Sequence, residues 1–267
     1  MLKFYKFECA GNNFVVIDRR FNEIKNLRET AKKILDRHFS VGGDSLLVLE
    51  NSEVATIKMR ILEKDESESS MCGNGLRCIG LYFDRFFNMQ NITVETLSGL
   101  KQVNKIKDNY FEANLGKMLP LDDFVKSSSG SIFLKINLYG LDLHIVNSSE
   151  PHAVIFSNQI NRIQKTKALK IIKHTEIFPK GINVDFVKII DKNTITTRTV
   201  ERGVFEETLS CGTGAVASAY VFNKVSGGSE IVTVHTRGGT LNVKLRESGN
   251  LLSGPTRLVF EGILYEL

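Results

Sequence analysis

The stretches SSMCGNGLRCIG (Ser69–Gly80) and TLSCGTGAVASA (Thr208–Ala219) decide how this sequence folds, because each sets a cysteine directly before a Gly-X-Gly turn. The segments that follow, GLRCIGLYFDRFF (75–87) and GAVASAYVFNKV (214–225), are apolar around much of their circumference. A helix tolerates that only when other structure encloses it. The repeat therefore predicts two equivalent units, each a curved sheet around a central helix whose N-terminus carries Cys72 or Cys211.

The rest of the chain supplies the sheets. TIKMRI (56–61), NITVET (91–96), LDLHIV (141–146), TITTRTV (194–200) and EIVTVHT (230–236) alternate apolar and polar residues, the period of half-buried strands. VTVHTRGGTLNVKL (232–245) reads as a hairpin with Gly238-Gly239 at its turn. NLRETAKKILDRHF (26–39) reads as an amphipathic helix with Asn26 as N-cap, Glu29 as its capping-box partner and an apolar stripe running to His38. GNNFVVID (11–18) and EPHAVIF (150–156) echo one another as polar turns leading into apolar strands. The fold class is α/β (α+β): two pseudo-symmetric domains, each a mainly antiparallel sheet or barrel around a central helix, with a boundary in the polar LPLDDFVKSSSGS (119–131).

Composition sets limits. The 267 residues suffice for two cores, and 42% apolar with 24% charged residues describes an ordinary globular protein. Net charge is +5, but the 35 basic residues are scattered among 30 acidic ones, a mixed surface rather than a polyanion-binding one. The N-terminus has no apolar leader core and no long apolar run occurs, so the expected location is cytoplasmic, with no membrane and no nucleic acid as partner. Four cysteines in such a chain form no disulfide framework.

A cysteine at a glycine turn opening a helix meets unsatisfied N–H donors backed by the helix dipole. The turn can bind a carboxylate, and its field predicts a lowered thiol pKa. Zinc would need four converging ligands, and Cys72 and Cys78 form no CxxC pair. A phosphate loop would need the Walker lysine and hydroxyl, which do not follow these glycines. A single nucleophilic cysteine with His152 as base, or two buried structural cysteines, would leave the repeat unexplained; Cys9 and Cys78 keep that structural reading. If the halves face each other, one thiol removes a proton from a carbon while the other delivers one. That is a two-base racemase or epimerase with no cofactor and no metal.

These motifs resemble those of the diaminopimelate epimerase family over nearly the whole chain: GNNFVVID, MCGNGLRC, EPHAV, GINVDFV and ERGVFEETLSCGTGA. The resemblance implies domains 1–120, with a strand at 257–267 returning to the first, and 121–256. It makes Cys72 and Cys211 the acid/base thiols, with His152 near Cys72 and Glu201 near Cys211. The amides of Gly73, Asn74, Gly212 and Thr213 would hold the α-carboxylate; Asn12, Ser45, Glu63, Glu150, Asn183 and Arg202 complete the expected substrate site. Departures from the family pattern lie at Glu63 and Glu150, where asparagines are usual, and at Ser45, often glutamine. Two amides able to donate to a distal carboxylate have become acceptors. The sequence therefore points first to a single amino acid with a basic side chain, histidine ahead of ornithine, lysine or arginine. Diaminopimelate is the alternative, and a binding protein without turnover is a third reading. The expected partner is the small-molecule amino acid, and a homodimer is compatible with it.

Overall fold

The structure, a computed structural model, describes residues 1–126, 128–160 and 165–265. Two compact units form, one from Met1–Asn114 with the returning stretch from Ser253, the other from Leu115–Leu252. The chain changes unit a few residues ahead of the polar segment at 119–131, inside strand pairing rather than in a loop.

The first unit contains β1 (Leu2–Cys9), β2 (Asn12–Asp18), α1 (Leu27–Ile34), β3 (Ser45–Glu50), β4 (Ile57–Glu63), β5 (Glu68–Ser69), α2 (Gly73–Phe87), β6 (Asn91–Thr96), β7 (Gly99–Lys107) and most of β8 (Tyr110–Gly116). The second contains β9 (Phe133–Leu138), β10 (Leu141–Asn147), β11 (Pro151–Phe156), α3 (Lys165–Ile172), β12 (Asn183–Asp191), β13 (Thr194–Val200), α4 (Gly212–Ser226), β14 (Ile231–Thr236) and β15 (Gly239–Lys244). β16 (Asn250–Pro255) leads back to the first unit, where β17 (Arg257–Leu264) pairs antiparallel with β1. Residues 266–267 of the expected strand lie outside the described residues.

The two topologies repeat. β1–β2 is antiparallel, β2–β3 parallel across α1, β3–β4 antiparallel, β4–β6 parallel across α2, and β6–β7 an antiparallel hairpin. β10–β11, β11–β12 across α3, β12–β13, β13–β14 across α4 and β14–β15 follow the same alternation. α2 touches β17 and β1 at one side of its sheet and β6 and β7 at the other, which strands about 4.8 Å apart allow only if the sheet curves around the helix. α4 likewise touches every strand from β10 to β15. Of the two expected forms it is the sheet: in neither unit do the described pairings close a barrel.

The opposite face of each sheet carries the smaller helix. Ala31, Ile34 and Leu35 pack on Val15, Ile17, Leu46 and Val48. In the second unit Ala168, Ile171 and Ile172 pack on Ile145, Ile155, Val184 and Phe186. β2 and β3 are thus covered on both faces, so they read as continuous apolar runs rather than alternating ones. α1 starts as expected, with the Asn26 side chain accepting from Glu29 N at 3.2 Å. It stops at Ile34, short of His38, because the Asp36 carboxylate captures the N–H groups of His38 and Phe39 at 2.9 and 3.1 Å and turns the chain out of the helix. In the β14–β15 hairpin Thr236 pairs with Gly239, so the loop is Arg237-Gly238.

The central helices are held tightly. A Cβ on Gly80 would meet Val103 Cγ1 at 2.7 Å and Phe111 Cδ1 at 2.8 Å. Gly80→Ala is therefore expected to destabilise the protein by about 1–3 kcal/mol, outweighing its gain in helix propensity, measured as a lowered urea midpoint.

Candidate active site

Cys72 is the N-cap of α2, with extended backbone (φ −141°, ψ 112°), and its Sγ accepts from Gly75 N at 3.3 Å. Gly73 and Asn74, both buried in the first turn, supply two of the backbone donors that an α-helix cannot satisfy internally. Asn74, 2% exposed, is fixed from both ends of its amide: Nδ2 donates to Asn12 Oδ1, and Oδ1 accepts from Arg77 Nη2. Asn12 reaches Asp44 Oδ2 at 3.4 Å.

Glu63 and Ser45 form the terminal cross-strand pair of β3–β4. Ser45 Oγ donates to Glu63 Oε2 at 2.8 Å and Ser69 Oγ to Oε1 at 2.7 Å. Burial raises the Glu63 pKa against the pull of those hydroxyls. The Cys72 thiol is pushed up to about 12, first by burial and further by the Glu63 charge, while the Gly75 amide works downward. The lowered pKa predicted from the helix terminus is thus reversed, because desolvation of a thiolate outweighs one N–H and a partial dipole.

Behind α2 lies a cluster that sequence reasoning assigned to structure alone. Arg77 is fully buried, and its Nη2 donates to Cys9 Sγ at 3.0 Å. Its Nε and Nη1 find no acceptor among the described residues. Burial alone would raise the Cys9 pKa, but a hydrogen bond from Cys78 and the Arg77 guanidinium bring it down to about 7. The signal in the sequence is the arginine itself, on the enclosed helix between Leu76 and Cys78.

In the second unit Cys211 is the N-cap of α4 (φ −119°, ψ 116°), with Gly212 and Thr213 in the first turn. Its Sγ lies 3.3 Å from Thr213 Oγ1, which lies 2.9 Å from His152 Nε2. His152 Nδ1 is 2.7 Å from Asp185 Oδ2, and Asp185 Oδ1 accepts from Thr199 Oγ1 at 2.6 Å. Both His152 and Asp185 are completely buried. Within its own unit His152, which the resemblance assigned to Cys72, is bonded to the turn of Cys211. Gly214 permits this: a Cβ there would stand 2.5 Å from Asp185 Oδ1 and 3.2 Å from His152 Cε1. Asp185 was not foreseen, although it shares a strand face with Asn183 two residues earlier, where a carboxylate in an apolar run marks a partner.

Asn183 Nδ2 is 3.4 Å from His152 Nε2, and its Oδ1 accepts from Arg202 N at 2.9 Å. The Arg202 guanidinium pairs with Glu150. Glu201 accepts from Thr208 Oγ1, and burial raises its pKa. Asn183 and Glu201 lie one position beyond the Val184–Val200 pair, so Glu201 takes the place in this unit that Glu63 takes in the first. Burial raises Cys211 well above the ordinary thiol value, and the charges of Glu201 and Asp185 add to it.

Raised thiols bind protons more tightly in the folded than in the unfolded chain. Their stabilising contribution is complete below the unfolded thiol value of 9.0 and is lost as pH rises toward the folded one. Unfolding free energy should fall above pH 9, by up to about 1.4 kcal/mol per pH unit per thiol. Urea denaturation at pH 8 and 10.5 checks this, with Cys72→Ser showing the shallower decline.

Comparison with known proteins follows the same residues. The model of the diaminopimelate epimerase family matches residues 4–118 and 144–259, through both cysteine turns. Diaminopimelate epimerase of Methanocella arvoryzae is 37% identical over 269 residues, covering 98% of this chain and 96% of the relative. That of Acetivibrio thermocellus is 36% identical over 276 residues, covering 98% of each. Among solved structures, a putative phenazine biosynthesis PhzC/PhzF protein from Clostridium difficile superposes with TM-score 0.73 at 13% identity over 100% of both chains. A hydroxyproline epimerase from Agrobacterium vitis superposes with TM-score 0.67 at 13% identity, covering 98% of this chain and 91% of that one. The structures share the fold, and the sequence relatives share more than a third of their residues along almost the whole length, so this chain is an isomerase belonging to the diaminopimelate epimerase family.

Proposed function

We propose that this isomerase inverts the α-carbon of an amino acid using Cys72 and Cys211 as its two acid/base groups, one accepting the α-proton while the other delivers a proton to the opposite face. The observation that supports this best is the equivalence of the two thiols. Each stands at the N-cap of a 15-residue helix whose first eleven residues are almost all buried, at the same point of a repeated topology, with two first-turn amides beside it. Deprotonating an amino acid without an electron sink requires donors aimed at the carboxylate as negative charge develops on it. Gly73, Asn74, Gly212 and Thr213 are proposed for that role.

The proposed substrate is diaminopimelate, taken between its LL and meso forms. The support is that relatives 36–37% identical over 98% of the chain are diaminopimelate epimerases.

One observation favours a second substrate, an amino acid with a basic side chain, histidine first. Glu63 presents a carboxyl group held by two serine hydroxyls, and Arg202, the natural partner of a distal carboxylate, is already paired with Glu150. A second carboxylate would have to displace Glu150, whereas an N–H-bearing side chain would find acceptors.

The test is α-proton exchange in deuterated buffer with LL- and meso-diaminopimelate, histidine, ornithine, lysine and arginine. Exchange with diaminopimelate alone supports the first reading, and exchange with histidine or another basic amino acid alone the second. No exchange with any of them would overturn both and leave a binding protein.

A further inference from the structure

We infer that Arg77 and Asp44 are positioning residues that fix which way round the side-chain amides of Asn74 and Asn12 stand, so that Asn12 offers an N–H to the bound amino acid; this rests on the two-thiol reading above. The contacts form one continuous chain inside the first unit. Arg77 Nη2 lies 3.0 Å from Cys9 Sγ and donates to Asn74 Oδ1, Asn74 Nδ2 donates to Asn12 Oδ1, and Asn12 Nδ2 reaches Asp44 Oδ2 at 3.4 Å. The two ends are of opposite kind: a guanidinium can only donate and a carboxylate can only accept. An amide has one acceptor end and one donor end, so a donor behind Asn74 and an acceptor behind Asn12 leave a single orientation for each.

Both ends are themselves held. Arg77 is fully buried on α2, and Cys9 at the end of β1 anchors its Nη2. Asp44, just before β3, accepts from Asn13 N at 2.8 Å through Oδ2 and from Arg37 Nη2 at 2.7 Å through Oδ1. A glutamine, asparagine or serine at position 77 could accept as readily as donate and would let both amides turn over. A guanidinium is costly to enclose, and here its Nε and Nη1 have no acceptor among the described residues. Packing alone would be better served by an apolar side chain of similar volume. The need for a donor that cannot also accept, facing Asn74, accounts for the arginine.

Asn74 is 2% exposed with both ends of its amide engaged, whereas Asn12 is half-buried at the start of β2. One N–H of Asn12 faces Asp44, and the other has no acceptor among the described residues. It is the outlet of the chain, a donor for an acceptor atom of the substrate, and a carboxylate oxygen is such an atom in either proposed substrate. The reversed chain would present a carbonyl oxygen in its place and repel that carboxylate. Arg77 and Asp44 thus act on binding through Asn12, without touching the substrate.

Neutron diffraction from crystals of the perdeuterated, substrate-free protein reads the orientation directly. Deuterium is expected on the Asn74 atom that faces Asn12 and on the Asn12 atom that faces Asp44, with none on the Asn74 atom that faces Arg77. Either amide found the other way round would overturn the proposal. The measurement needs no turnover, so a reversed amide beside intact α-proton exchange is distinguishable from a failed racemase reading.

Kinetics of variants test the consequence, with whichever of LL-diaminopimelate and L-histidine the protein inverts. Arg77→Met keeps the apolar stem and removes the donors. It is expected to raise KM about tenfold, the effect of losing one hydrogen bond to a charged group, while kcat changes about threefold or less. Arg77→Lys, again only a donor, should recover most of that loss. Asn74→Asp gives Arg77 a carboxylate partner and sets an acceptor against Asn12 Oδ1, so Tm should be unchanged or higher while KM again rises about tenfold. A merely structural role would move Tm and KM together. An unaltered KM in Arg77→Met, an Arg77→Lys as impaired as Arg77→Met, or an Asn74→Asp whose KM stays at the wild-type value would overturn the positioning role.

Discussion

Cys72→Ala and Cys211→Ala are each expected to abolish net inversion, lowering kcat by about 10³-fold or more, within the range that a positioned acid or base contributes to proton transfer. The informative part is what survives. With Cys72 removed, Cys211 can still take the α-proton of the stereoisomer whose hydrogen faces it and return a solvent proton to the same face. Each single variant should therefore exchange one stereoisomer's α-proton without inverting it, and the two variants should prefer opposite stereoisomers. Proton NMR in deuterated buffer with each pure stereoisomer reads this directly. The double variant should exchange neither.

Asp185→Ala carries the largest expected loss of stability. Asp185 is fully buried and accepts from both His152 Nδ1 and Thr199 Oγ1. Truncation leaves two enclosed donors without acceptors and opens a cavity beneath α4. Each orphaned donor costs about 1–3 kcal/mol. Together with the cavity, a loss of about 3–5 kcal/mol is expected, in line with breaking other buried polar pairs. In a chain of this size that corresponds to a fall in Tm of roughly 10 °C. A melt within a degree or two of wild type would show that the His152–Asp185 contact is not a stabilising element. Activity should fall as well, since Asp185 holds the His152 ring beside the turn that carries Cys211.

Much of this was legible in the sequence for stated physical reasons. The alternating runs at 91–96 and 194–200 became β6 and β13 because each has one enclosed and one solvated face. The paired cysteine turns gave the central helices because glycine turns followed by all-round apolar segments have few other ways to fold. α3 left no such mark, since a short helix lying on a sheet needs only Ala168, Ile171 and Ile172 as its buried side. The direction of the thiol shifts was also hidden. The helix terminus is a local feature that sequence displays, whereas burial and the approach of Glu63 and Glu201 are tertiary. Likewise Asp185, Thr199 and His152 come from three separate strands, and only their register places them around one glycine, Gly214.

The two-thiol claim meets its most direct test in the isotopic content of substrate and product at low conversion. Starting from one protonated stereoisomer in deuterated buffer, two separate thiols predict deuterium at the α-carbon of nearly every product molecule while unreacted substrate keeps its protium. Protium carried over into the inverted product, or deuterium entering substrate as fast as product, would mean that one group moves the proton on both faces and would contradict the account.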